Sequence, residues 1–340
     1  IACSKHLCIR SFPYLPIYLS IYSDTVLTDT MVNIIEVARL IKCYTQATDN
    51  ALDGISFNVK SGEFFALLGP NGAGKTTTLS ILTTTLSPTS GKVLVAGGDV
   101  VKHPEIVRRK VGIIFQNRSL DENLTAEENI RLHAIIYGMY AFRPTFSTMP
   151  KAYKDRVFDL ATMLGIDSEI FNPIKSFSGG MKRKLEIIRG LIHEPQILFL
   201  DEPSAGLDPE SRRGLWEYLK HVKDNKGVTI FLTTHYLEEA EDADTICILN
   251  KGQIVSLGTP DHIKSDLIDE YLIIDSKYRH ELTTELQVLG LTYTTTPQFK
   301  IALSHLNTHQ ILKAIETPLT LVKTHSPSLE DAYLKIVSSN

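Results

Sequence analysis

Short, uninterrupted apolar runs punctuate the chain: FFALLG (64–69), VGIIFQ (111–116), ILFLDE (197–202), TIFLTT (229–234) and TICIL (245–249). Runs of this length without polar alternation predict strands buried on both faces. Between several of them lie stretches with helical spacing. Strands alternating with helices imply an α/β core, a mostly parallel sheet covered on both sides. Segments near 32–39 and 54–60, with KVLVAG (92–97), predict short antiparallel strands that form a β subdomain. Residues 119–175 hold no strand run. Here ENLTAEENIRLHAIIYG and KAYKDRVFDLATMLGI predict two helices, the first capped by Thr125 with Glu128 three residues on. MYAFRPTFSTMP (139–150) predicts the loop that joins them.

After about residue 255 the composition changes. YLIID, FKIAL and LTLVK predict strands, interleaved with helical RHELTTELQVLG, THQILKAIE and LEDAYLKIV. The organisation expected is a main domain over 31–255, with a helical insertion at about 119–190, and a small α+β accessory domain over 256–340. No internal repeat or low-complexity tract interrupts it.

Composition narrows the class. A chain of 340 residues, 43% hydrophobic and 22% charged, fits a globular protein of about two domains. A net charge of −4 supplies no basic face, so no direct nucleic-acid partner is expected. Cys3, Cys8, Cys43 and Cys247 form no CxxC pair or zinc spacing and read as reduced, unpaired thiols. No apolar run approaches the roughly 18 residues of a membrane-spanning helix. FPYLPIYLSIY (12–22), with Lys5 and Arg10 ahead of it, has some character of a signal peptide, but Pro13 and Pro16 interrupt it. The nucleotide motifs that follow also argue against secretion. The chain begins at Ile1, and Met31 stands just before VNIIEVARL. Residues 1–30 are therefore expected to be a non-native or disordered extension, which leaves Cys43 and Cys247 in the working protein.

The chemistry begins at Gly69. Gly69-Pro70-Asn71-Gly72-Ala73-Gly74-Lys75-Thr76, followed by Thr77, fits GxxxxGK[ST], lies after a predicted strand and opens a predicted helix. Its glycines let backbone N–H groups curl around phosphates, and the helix N-terminus adds positive potential. Lys75 is expected to reach the β- and γ-phosphates of ATP, and Thr76 to hold Mg²⁺. The core is thus expected to be a P-loop NTPase. ILFLDEP (197–203) is an apolar strand ending in two acids. Beside a phosphate loop, Asp201 is expected to hold Mg²⁺ mainly through water, and Glu202 to polarise the attacking water.

His235 follows TIFLTT and Gln116 ends VGIIFQ, both at the carboxyl edge of the presumed sheet, where ligands bind in open α/β folds. His235 reads as a γ-phosphate contact, against a surface or capping histidine. The Gln116 amide could reach Mg²⁺ and the attacking water; alone it decides nothing. Tyr44 reads as an adenine-stacking ring or as packing.

A second candidate anion site lies at Ser178-Gly179-Gly180, 103 residues after Lys75, ahead of the helical MKRKLEIIRG. It also reads as a plain N-cap and tight turn. Since the loop at Gly69 already supplies a full cradle, a second γ-phosphate clasp makes sense if it serves the nucleotide of a second subunit. Two chains facing head to tail would then trap two ATP molecules, an isologous arrangement.

These motifs carry a resemblance. The span from about 32 to 255 resembles the nucleotide-binding subunit of ATP-binding cassette transporters in GPNGAGKT, the Q-loop Gln116, the signature FSGGM, ILFLDEP, the D-loop SAGLD and the H-loop His235, in family order and spacing. The resemblance implies that Ser178, Gly179 and Gly180 contact the partner's γ-phosphate, that Asp208 helps couple the two sites, and that Tyr44 is the A-loop aromatic. FSGGM in place of LSGGQ, and the tail SLEDAYLKI, resemble the drug- and antibiotic-exporter branch of the daunorubicin-resistance type. That branch implies a separate integral-membrane permease, a second copy or a related ATPase chain, and a peripheral place on the cytoplasmic face of the membrane. The first helix after Gln116 is expected to help form the groove that receives a permease helix. Ser204 in place of threonine, Phe177 in place of leucine and the long loop at 139–150 depart from the family pattern, but none removes a catalytic group. A soluble relative acting on DNA or the ribosome is the alternative. The short separation between loop and signature, and the single cassette, speak against it. A small-molecule kinase would not need the second anion site.

Overall fold

The computed structural model describes residues 33–45, 49–116, 119–267, 271–303, 308–325 and 328–338. The expected N-terminal extension, with Cys3 and Cys8, lies outside the described residues.

Two long strands come first, β1 (Asn33–Cys43) and β2 (Asn50–Lys60), then β3 (Phe64–Leu68) and, past the glycine loop, α1 (Lys75–Leu82). There follow β4 (Ser90–Val95), β5 (Gly98–Asp99), α2 (Pro104–Lys110) and β6 (Val111–Ile114). The helical stretch holds α3 (Ala126–Ile136), α4 (Lys151–Met163) and α5 (Gly179–Leu191). The main sheet is completed by β7 (Ile197–Asp201), α6 (Pro209–Lys226), β8 (Thr229–Thr234), β9 (Thr245–Asn250) and β10 (Gln253–Gly258).

The six-stranded sheet has the order β10-β9-β3-β8-β7-β6, parallel except for the β9–β10 hairpin. Every residue of β3, β7 and β8 is buried, as their unbroken apolar runs require. Side-chain alternation divides the core in two. Phe64, Ala66, Leu198, Leu200, Ile230 and Leu232 face α3, α4, α5 and α6. Phe65, Leu67, Phe199 and Phe231 face α1, α2 and the antiparallel sheet β2-β1-β4-β5. There the rings of Phe57, Phe65 and Phe231 stack in series, with centroids 5.3 and 5.2 Å apart.

Three local features go beyond the apolar pattern. β1 runs to Cys43, beyond the expected 39, because its register shifts between Val37 and Leu40 and Arg39 has φ 48°, which breaks the period-2 signal. β10 pairs back on β9 through Lys251 and Gly252, both at positive φ (47° and 77°), a tight hairpin turn. The composition change near 255 thus falls inside a strand of the main sheet. The loop at 139–150 contains a 3₁₀ turn, Phe146–Thr148, whose Phe146 ring lies edge-on to Phe171 at 5.1 Å. Buried Arg131 holds the loop through the carbonyls of Arg143 and Pro144 (2.9 and 2.8 Å) while pairing with buried Glu127 at 3.0 Å. The capping box expected at the start of α3 is present: Thr125 Oγ1 accepts from Glu128 N, and Glu128 Oε2 accepts from Thr125 N.

Beyond α7 (Pro260–Leu267) come β11 (Tyr271–Asp275), α8 (Arg279–Val288), β12 (Tyr293–Thr294), β13 (Phe299–Ala302), α9 (Thr308–Ala314) and β14 (Leu321–His325). Their sheet order, β12-β13-β11-β14, with every neighbour antiparallel, is the ferredoxin-like split βαβ arrangement. It has its own core of Leu272, Ile274, Leu282, Leu286, Phe299, Ile301 and Ile311. The last helix, α10 (Leu329–Ser338), leaves that core: Leu329 and Ala332 join the main core in the same cluster as Ile263 of α7.

Candidate active site

The main sheet brings its strand ends and the glycine loop to one cleft of about 310 Å³. Pro70 to Thr77, Gln116, Glu202 and His235 line it. Residues far apart in the chain meet because β3, β8, β7 and β6 lie side by side and in parallel, so that the loops after them share one edge. Gly74 has φ 109°, and a Cβ there would lie 2.7 Å from the Ala51 carbonyl oxygen. Only glycine lets the loop pass this close to β2.

Lys75 is buried, and its Nζ donates to the carbonyls of Gly69 (2.6 Å) and Pro70 (3.2 Å). Burial lowers its affinity for the proton, against the opposing pull of Glu202 and Asp201. The ammonium is thus tethered at the loop, where a phosphate would offset its desolvation.

Glu202 occupies the centre of the candidate catalytic residues. Its Oε2 accepts from Gln116 Nε2 at 2.9 Å, and its Oε1 lies 3.0 Å from His235 Nδ1. Its backbone has φ 45°, sparsely populated for a non-glycine residue, and its N–H donates to Thr233 O at 3.0 Å. That turn swings the carboxylate out of the strand and into the cleft. Asp201, one residue earlier, stays in the sheet at 6% exposure, where Oδ1 accepts from Thr233 Oγ1 at 2.5 Å. Burial holds its carboxyl above the usual carboxylate range. A buried carboxylate beside the loop, with the Thr76 hydroxyl and Gln116 amide lining the cleft, is an all-oxygen donor set. It suits a hard cation that keeps water and phosphate ligands, such as Mg²⁺.

Tyr44 is 42% exposed; its hydroxyl lies 3.2 Å from Thr77 Oγ1, and the Lys42 ammonium sits 5.4 Å from its ring centroid. The ring is therefore beside the loop, though not in the cleft lining.

Ser178, Gly179 and Gly180 do not line this cleft. Ser178 is the N-cap of α5, its hydroxyl accepting from Met181 N at 3.2 Å. Asp208 caps α6 in the same way, accepting from Ser211 N (2.9 Å) and Ser211 Oγ (2.6 Å), and these bonds hold its carboxyl below the usual range. The two caps are neighbours: a Cβ on Gly180 would lie 2.5 Å from Ser211 Oγ.

The sequence reading missed Arg183. It falls in a KRK run that reads as solvated, yet it is 5% exposed. Its guanidinium donates to the carbonyls of Pro203 and Phe115, each at 2.8 Å, and pairs with buried Glu186 at 2.9 Å. It ties α5 to the chain just past Glu202 and just before Gln116. Its spacing from Ile187, four residues on, was the available signal. Ser204, Thr234 and Glu239, also missed as a set, form a buried cluster beneath Glu202 and His235.

The chain is similar to known proteins in sequence and in fold. The family described as "ABC transporter" matches residues 52–205. The daunorubicin/doxorubicin resistance ATP-binding protein DrrA of Streptomyces peucetius is 38% identical over 263 residues, 76% of this chain and 76% of that one. The Nod factor export ATP-binding protein I of Ralstonia nicotianae is 37% identical over 228 residues, 67% of each. Among solved structures, an ATP-binding subunit of an ABC transporter superposes with TM-score 0.60 at 33% identity, covering 68% of this chain and 92% of that one. A dimeric ATP-binding cassette bound to ADP and Pi superposes with TM-score 0.59 at 26% identity, covering 66% and 98%.

Proposed function

This chain belongs to the ABC transporter family as an ATP-binding, ATP-hydrolysing subunit, and from that premise we propose that it drives a separate membrane permease of the drug, antibiotic or lipid-like exporter type. In this reading it sits at the cytoplasmic face of the membrane and pairs head to tail with a second ATPase chain. Among the described residues no helix is long and apolar enough to cross a bilayer; in this reading the path for cargo belongs to the partner. The similarity to proteins named for daunorubicin/doxorubicin resistance and Nod factor export supports the branch.

The observation that carries the mechanism is the convergence of Gln116 and His235 on the two oxygens of Glu202, opposite the phosphate loop. Gly69 to Thr77 cradle the triphosphate, Lys75 moves from its tether to the β- and γ-phosphates, and Tyr44 packs against the adenine. Thr76, Gln116 and Asp201 would hold Mg²⁺, which neutralises phosphate charge. Glu202 takes a proton from the attacking water as the water's oxygen bonds to the γ-phosphorus and the bond to the β-phosphate oxygen breaks. ADP and inorganic phosphate leave. Gln116 positions that water, and His235 donates to the γ-phosphate. Ser178, Gly179 and Gly180 clasp the γ-phosphate of the partner's ATP, and Asp208 carries the state of one site to the other. Closure on ATP and opening after hydrolysis rock the permease.

The test is Glu202→Gln. Loss of a general base costs roughly 10²–10⁴ in turnover, so kcat should collapse while ATP affinity, measured by equilibrium binding, is kept. Turnover within a few-fold of wild type would remove Glu202 from the role.

A further inference from the structure

Three residues that the mechanism leaves out form a buried polar cluster directly beneath the catalytic pair. Glu239 lies in the 3₁₀ turn Leu237–Ala240 at 5% exposure. Its Oε1 accepts a short hydrogen bond from Ser204 Oγ, and its Oε2 accepts from Thr234 Oγ1 at 2.5 Å. Both hydroxyl residues are fully buried. Ser204 is two residues past Glu202, and Thr234 immediately precedes His235. Thr234 Oγ1 also accepts from Tyr236 N at 3.0 Å, so one hydroxyl fixes the chain on both sides of His235.

Close to the chemistry the same two segments are also joined by the main-chain bond from Glu202 N to Thr233 O and by the bond from Thr233 Oγ1 to Asp201 Oδ1. Glu202 itself sits in a strained conformation that its surroundings must impose. A buried carboxylate is an expensive choice for mere packing, because it must be desolvated. Burial does push the Glu239 carboxyl up, with the two hydroxyl bonds and Arg212 opposing. What a carboxylate offers is two acceptor oxygens in a fixed geometry, one for each segment.

We propose that Glu239 is a positioning residue for hydrolysis: through Ser204 and Thr234 it fixes the turn bearing Glu202 against the turn bearing His235, and so sets the geometry of the pair around the attacking water. The inference rests on the proposed roles of Glu202 and His235. It also gives a use to Ser204, where threonine is the commoner residue of the resemblance. Threonine presents the same hydroxyl, so Ser204→Thr keeps the link.

The test uses the full chain, with steady-state ATPase, ATP binding and thermal unfolding measured in parallel. Glu239→Ala should lower kcat by about tenfold to a hundredfold, the penalty for small misplacement of reacting groups, with KM for ATP within about twofold, the split expected of an interaction that acts in the transition state. Ser204→Ala should lower kcat less, and Ser204→Thr should match wild type. Adding Ser204→Ala to Glu239→Ala should cost nothing further, because the two act through one link. Glu239→Gln, which keeps one acceptor, should recover part of the loss. An unchanged kcat in Glu239→Ala, additive single effects, or a joint fall of kcat, affinity and thermal midpoint would overturn the proposal. Should Glu239→Ala fail to fold, Ser204→Ala and Ser204→Thr carry the same comparison. Glu202→Gln is the control. If it stays active, the reading of the site falls and this inference with it; if it is inactive while Glu239→Ala is normal, only this inference falls.

Discussion

Asp201 and Glu202 are adjacent carboxylates with opposite surroundings. Asp201 remains inside the sheet, where burial favours its protonated form, while Glu202 turns into the cleft through left-handed backbone. The ionised Asp201 is therefore a cost to the folded chain when no cation is present. The sign follows from its raised folded pKa: the proton is bound more tightly in the folded state, so stability is lost as pH rises from the ordinary value of 3.8 through the raised one. Asp201→Asn should leave stability unchanged below about pH 4 and raise the thermal midpoint near pH 7, while removing Mg²⁺-dependent turnover. A lower midpoint at neutral pH would show that the attraction to Lys75 outweighs the burial. The motif residues were legible because phosphate chemistry restricts which side chains fit at fixed spacing. Arg183 and Glu239 were not, because a charged residue in a helix or turn reads as solvated unless its distant partners are known.

α5 and α6 start with side-chain caps, Ser178 and Asp208, and meet where Gly180 faces Ser211. That contact gives Gly180 a packing role besides any phosphate contact. Gly180→Ala should displace Ser211 Oγ from Asp208 and destabilise the fold by about 1–3 kcal/mol, as overpacking does. Adding Ser211→Ala should restore most of that loss in a denaturation midpoint; no restoration would mean the strain lies elsewhere. The helices and buried strands could be read from periodicity, and the Thr125 capping box from three-residue spacing. β10 could not, since its burial pattern is mixed and its turn depends on a lysine at positive φ. The anchoring of the 139–150 loop was equally hidden, because it depends on Arg131 reaching carbonyls twelve and thirteen residues away.

Over the whole molecule, the C-terminal segment divides its loyalties. The ferredoxin-like sheet keeps its own core, but α10 packs with α7 into the main core. The change in composition near 255 was visible in the sequence; the return of the last helix was not, because only three dimensions show which core Leu329 joins. Leu329→Ala should lower the stability of the main unfolding transition by about 2–5 kcal/mol, read by denaturant titration; an unaltered transition would mean that α10 is dispensable to the main core. The larger claim is that each site is shared, with the phosphate loop and Glu202 from one chain and Ser178–Gly180 from its partner. Complementation tests it most directly. Ser178→Arg should block the clasp and Glu202→Gln the chemistry, so each variant alone should be inactive. In an equal mixture about half of randomly assorted dimers hold both chains, and each contains one intact composite site. The account predicts that ATPase activity returns on mixing, to roughly a quarter of wild type by that symmetry. A mixture as inactive as its components would contradict the shared site.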